Sequence, residues 1–153
     1  MSEGNKPHVL LIDDEQVVRE LLQKFLERNG YAVFTACDGV DALQVVKARN
    51  IGIIISDIVM PRMDGLEFLK HLRKFNKQAQ VIMITGQPSL GGCVESIVEA
   101  SCEYLIKPIE REDILRCVQN AEKQLENRSN KLQDYLNEAD CPPSEENTED
   151  PPV

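Results

Sequence analysis

The stretch Ile51-Gly-Ile-Ile-Ile-Ser-Asp-Ile-Val-Met-Pro-Arg-Met-Asp-Gly65 leaves a chain few ways to fold. Ile51 and Ile53 to Ile55 form a short continuous run of β-branched residues, which suits a central strand buried on both faces. The run ends on one carboxylate, Asp57, and Pro61 cannot donate to a sheet ladder, so the strand stops near Val59. An acid therefore stands at the carboxyl end of a buried strand, where a loop begins. In open α/β sheets that edge is where ligands bind.

The other segments follow the same plan. His8 to Ile12 is a second apolar run, and it ends on Asp13 and Asp14. Val17, Leu21 and Phe25, with Val18, Leu22 and Leu26, make one helical stripe that closes at Asn29-Gly30. Tyr31 to Ala36 reads as a short strand, Asp38-Gly39 as a turn, and Val40 to Ala48 as a helix. A helix over about 66–74 follows the opening stretch, then a strand Val81–Ile84 ending at Thr85-Gly86. Residues 89–100 read as a helix that begins late, because Gly91-Gly92 weakens its start. Glu103 to Ile106 is a fifth strand closed by Lys107-Pro108, and a long helix runs over 110–137. Five strands alternating with five helices predict right-handed crossovers and an α/β, doubly wound parallel sheet.

This plan sets Asp13, Asp14, Asp57, Thr85 and Lys107 at the carboxyl ends of strands, on one edge of one sheet. Taken singly, each has an ordinary use. The two acids can cap a helix, Thr85 can be a turn hydroxyl, Lys107 a solvated charge, and Tyr104 packing in its strand. Together, three converging carboxylates need a counter-charge, and Mg2+, which takes oxygen ligands and keeps waters, suits them. A metal and a lysine beside a nucleophilic carboxylate can accept a phosphoryl group. The glycine-rich nucleotide-binding patterns do not follow the first strand.

Composition removes several classes. The 153 residues suit one domain, and no apolar run approaches the roughly 20 residues of a membrane span. The N-terminus lacks a signal-peptide pattern, so the expected location is cytoplasmic. Five scattered cysteines fit no zinc spacing and read as reduced thiols, and His8 and His71 have no catalytic partner nearby in sequence. The net charge is −9; residues 138–153 contribute six of the 26 acids and none of the 17 bases. Neither body nor tail offers the basic face that direct nucleic-acid binding needs.

As an ordered set, Leu11-Ile-Asp-Asp-Glu15, Ser56-Asp-Ile-Val-Met-Pro-Arg-Met-Asp-Gly65, Ile84-Thr-Gly86 and Tyr104-Leu-Ile-Lys-Pro108 closely resemble the receiver (CheY-like) domain of two-component response regulators. The resemblance covers roughly Val9 to Gln124 and implies a five-stranded sheet in the order 2-1-3-4-5. It implies that Asp57 accepts phosphate from a sensor histidine kinase or a phosphotransfer protein. Asp14, Asp57 and the backbone carbonyl of Val59 would hold Mg2+, with Asp13 assisting through water. Lys107 would contact the phosphoryl oxygens beside a cis bond to Pro108. Thr85 would hydrogen-bond the new phosphate and Tyr104 would rotate inward, a two-state switch read by partners at the fourth helix, fifth strand and fifth helix. Such a protein is no turnover enzyme; it catalyses only its own phosphorylation and dephosphorylation.

The domain plan is then a leader over 1–7, a receiver over 8–124, a helical extension over 125–137 and a disordered acidic, proline-rich tail over 138–153. In the extension, Ile114, Val118, Ala121, Leu125, Leu132 and Tyr135 approximate a seven-residue spacing that Arg128 interrupts. That pattern fits a solvated extension or the seam of a phosphorylation-dependent dimer. The main expectation is a phosphoacceptor receiver that controls a downstream protein or relays phosphate. The alternatives are a receiver-fold scaffold with impaired switching, or the receiver part of a longer regulator.

Overall fold

The computed structural model describes residues 6–86 and 102–139. Its strands are β1 (Val9–Ile12), β2 (Val33–Ala36), β3 (Ile53–Asp57), β4 (Gln80–Thr85) and β5 (Cys102–Ile106). Its described helices are α1 (Gln16–Arg28), α2 (Gly39–Ala48), α3 (Gly65–Arg73) and α4 (Arg111–Ala139). The expected helix over 89–100 lies outside the described residues, so α4 is the fifth helix of the sequence reading. All four strand pairs are parallel, in the order β2-β1-β3-β4-β5.

The strand residues alternate between two cores. Leu10, Ile12, Ile54, Val81 and Met83 face α2 and α3, where they meet Ala42, Val46, Phe68, Leu69 and Leu72. Val9, Leu11, Ile53, Ile55, Ile82 and Ile84 face α1 and α4, against Leu22, Leu26, Ile114, Val118 and Ala121. A period of two within unbroken apolar runs is what a sheet covered on both faces demands.

Several boundaries differ from the sequence reading for local reasons. Tyr31 is not in β2. The Gly30 N–H donates to the Glu27 carbonyl and the Tyr31 N–H to the Leu26 carbonyl, closing α1 with Gly30 at φ 95°. Tyr31 is spent on that closure and lies buried beside Leu26. Asp38-Gly39 is not a free turn either, because Asp38 caps α2 by accepting from the Asp41 N–H at 2.9 Å, and Gly39 opens the helix. The last helix reaches Ala139, past residue 138 where the tail was expected to begin; residues 140–153 lie outside the described residues. Cys37 and Cys117 are free thiols.

Candidate metal and phosphoryl site

Register carries the expected residues to one edge. Asp57 is the last residue of β3 and pairs with Ile84; Thr85 ends β4 opposite Ile106. The Asp13 N–H continues the ladder to the Ala36 carbonyl at 3.1 Å, and the Lys107 N–H donates to the Thr85 carbonyl at 2.7 Å. The Lys107–Pro108 peptide is cis. Carboxylate oxygens of Asp13, Asp14 and Asp57 lie within 4.8 Å of one another, with Asp13 and Asp57 buried and Asp14 exposed. Lys107 Nζ donates to Asp57 Oδ2 at 3.0 Å. An open cleft of about 390 Å³ above them is lined by Asp14, Glu15, Asp57, Val59, Gly86 and Lys107.

The capping use of the first acids is not the one adopted. The cap residue of α1 is Glu15, which makes no side-chain capping bond. Asp13 Oδ1 instead accepts from the Glu15 N–H at 2.9 Å, and Arg19 Nη1 donates to the Asp13 carbonyl at 2.7 Å. Burial raises the Asp13 pKa, and the nearby charges of Asp57 and Asp14 push the same way against the Glu15 hydrogen bond and Lys107. For Lys107 burial opposes the charge, but its hydrogen bond to Asp57 and the field of Asp57, Asp13 and Glu15 outweigh this and raise its pKa. One ammonium against three carboxylates leaves an excess of negative charge. An all-oxygen donor set of this span fits an octahedral Mg2+, whose ligand oxygens stand roughly 3 to 4 Å apart at the usual bond length of about 2.1 Å.

Two further residues of the expected set sit close by. Thr85 is fully buried. Tyr104 lies opposite Met83 in β5 and is half-buried against the α2–α3 core.

The loop from β3 to α3 holds what sequence reasoning missed. The Gly65 N–H donates to the Ile58 carbonyl at 2.7 Å, and a Cβ at Gly65 would collide with the Asp57 carbonyl. Farther out, Arg62 sits at φ 66° and donates Nε and Nη2 to Asp38 at 2.6 and 3.1 Å. Arg62, by hydrogen bond, holds the Asp38 carboxyl below the usual carboxylate range, against the effect of burial. Cys37, Asp38 and Asp41 form a second group of close ligand atoms. There the Arg62 guanidinium already balances Asp38, and the Cys37 thiol donates to Asp41. The sequence shows Asp38 only as a turn acid; nothing in its spacing from Arg62 announces the pair.

A doubly wound sheet of this order, with acids, a lysine and a threonine on its carboxyl edge, is the CheY-like receiver architecture. The family model described as response regulator receiver domain matches residues 9–119, and the chain belongs to that family. It is 32% identical over 130 residues to the probable transcriptional regulator ycf27 of Cyanidium caldarium, covering 85% of this chain and 52% of that protein. It is 35% identical over 107 residues to response regulator MprA of Mycobacterium ulcerans, covering 70% of this chain and 46% of that one. The chain thus spans about half the length of the curated relatives it matches. Among solved structures it resembles the receiver domain of Francisella response regulator 1452 at 31% identity and TM-score 0.70, covering 77% of this chain and 98% of that one. It also resembles the Thermotoga maritima response regulator TrrA, solved in complex with Mg2+ and BeF, at 31% identity and TM-score 0.67, covering 75% and 98%. No described helix is long and apolar enough to cross a membrane.

Proposed function

We propose that this receiver is phosphorylated on Asp57 by a histidine kinase or a phosphotransfer protein, with Asp13, Asp14, Asp57 and the Val59 carbonyl as the seat of Mg2+. The observation that carries the reading is the 3.0 Å contact from Lys107 Nζ to Asp57 Oδ2 inside a cluster of three acids. A bound metal would neutralise charge on the phosphoryl oxygens. An Asp57 carboxylate oxygen forms a P–O bond as the P–N bond to the donor imidazole breaks, and the imidazole leaves with the electron pair. Lys107 neutralises the transferring oxygens, and Thr85 then bonds the new acyl phosphate. Hydrolysis is the other chemistry assigned to the site: a water oxygen forms a bond to phosphorus as the bond to Asp57 breaks, releasing the carboxylate and inorganic phosphate.

Residues 8–124 form the receiver in this reading. Tyr104, on β5, follows Thr85 in switching a face that includes β5 and α4, and that face meets a downstream protein. The extension over 125–137 is the second interaction element. Its Leu132 and Tyr135 are exposed and continue the spacing of the buried Ile114, Val118 and Ala121, which favours a phosphorylation-dependent dimer seam over a bare spacer.

The donor protein has a surface to dock on. Val17 and Leu21 of α1 are 70% and 60% exposed beside the site. Next to them Leu22, Ile84, Ile109 and Ile114 line a cleft of about 570 Å³ that reaches Asp13 and Lys107. Exposed apolar side chains rimmed by charge at a reactive edge suit a protein partner.

Two measurements test the reading. Acetyl phosphate with Mg2+ should add one acid-stable, base-labile phosphoryl group, seen by intact mass. Labelling that survives in Asp57→Asn would defeat the assignment. Leu21→Asp should leave acetyl phosphate labelling intact but slow transfer from a phosphorylated histidine phosphotransfer domain by about 10-fold or more, the cost of losing an interface anchor of about 1.4 kcal/mol.

A further inference from the structure

The Val59 carbonyl belongs to a loop whose place is set from outside. Its near end is closed by Gly65 on Ile58. Its far end is tied to the β2–α2 junction, where the Gly39 N–H donates to the Met63 carbonyl at 3.1 Å and Arg62 grips Asp38. The two sides of that tie are unequal. Asp38 is 3% exposed and also caps α2 through the Asp41 N–H, so it is fixed to the body. Arg62 is a loop residue in the left-handed region, which residues with a Cβ avoid unless something holds them there. The fit at the junction is close. A Cβ on Gly39 would stand 2.8 Å from both the Met63 carbonyl oxygen and its Cγ.

We propose that the Asp38–Arg62 pair is a positioning latch for the metal pocket, fixing the β3–α3 loop so that the Val59 carbonyl is presented before Mg2+ arrives. Neither residue touches the metal. The latch acts by removing loop disorder that binding would otherwise have to freeze out, and so it sets Mg2+ affinity. The inference rests on the assignment of Mg2+ to this pocket.

Calorimetric titration of the whole chain with MgCl2 separates the two. Arg62→Gly keeps the left-handed backbone accessible while removing the guanidinium, and Asp38→Asn keeps a capping side chain while removing the charge. Each should weaken Mg2+ binding by about 10-fold, the low end of what supporting partners of metal ligands cost. The double variant should lose no more than Arg62→Gly alone, since both changes remove one interaction. A role in folding alone would lower the thermal midpoint and leave the Mg2+ dissociation constant unmoved. That outcome, or losses that add in the double variant, overturns the latch and leaves the pocket standing. A wild-type chain that takes up no Mg2+ overturns the pocket assignment, and the latch with it.

Discussion

Tyr31 ties α1 to α4 through one hydroxyl. Its O–H donates to Glu122 Oε1 at 2.7 Å, while Lys6 lies 3.7 Å from the same carboxylate and over the Tyr31 ring. Burial, then the Glu122 hydrogen bond and the charges of Glu122 and Glu126, push the phenol above its ordinary value. The neutral form is therefore favoured by folding. The stabilisation is complete below the unfolded value of about 10 and is lost as pH rises from there toward the folded one. Tyr31→Phe should cost about 1 to 2 kcal/mol in urea denaturation at neutral pH. The gap to wild type should narrow above about pH 10, where the wild type alone gives up this contribution. A gap that widens there would mean that Glu122 does not hold the proton on Tyr31. The same scale shows what a sequence hides. Tyr31 reads as a strand residue because it is aromatic and precedes an apolar run. Its actual place follows from the left-handed Gly30 and from a partner 91 positions away.

Among elements, the strands were the most legible, since a parallel strand covered on both faces must be an unbroken apolar run, and these runs end on the candidate site residues. Asp57, Thr85 and Lys107 could be placed because a strand's end is also an address on the sheet edge. Helix starts were less legible. An acid before a helix can bond a neighbouring amide as Asp13 does, or cap the helix and take an ion pair together as Asp38 does, and only packing decides. α4 shows the difference between pattern and burial. One spacing runs from Ile114 to Tyr135, yet Ile114 and Val118 are buried and Leu132 is 59% exposed. Truncation should follow burial. Phe68→Ala in α3, at a side chain with no exposed surface, should cost about 3 to 5 kcal/mol. Leu132→Ala should stay within about 0.5 kcal/mol in dilute solution. A large loss at Leu132 that grows with protein concentration would show a dimer already formed without phosphate.

For the whole molecule, the proposed Mg2+ site can be read through stability, since three carboxylates share one ammonium at the acidic edge. Binding to the folded chain alone should raise stability by about 2.7 kcal/mol at a Mg2+ concentration 100 times the dissociation constant, moving the thermal midpoint up by several degrees. Chelation with EDTA should reverse the shift, and Asp57→Asn should shrink it; a midpoint indifferent to Mg2+ would contradict the pocket. A second consequence belongs to α4 alone. The helix starts at Arg111, beside the cleft that reaches Lys107, and at about 1.5 Å per residue extends for roughly 44 Å. Arg128 Nη1, bonded to the Gln78 carbonyl at 3.1 Å, steadies it as it passes the foot of the sheet. Past that contact, residues 129–137 are exposed, about 14 Å of helix forming a free arm. A tilt of about 5° about Arg128 would move the far tip by roughly 1.5 Å and the start of the helix by roughly 2 Å in the opposite sense. The helix is thereby one continuous rod whose longer span, toward the acidic edge, packs on the sheet and whose shorter span, past Arg128, stands free of it.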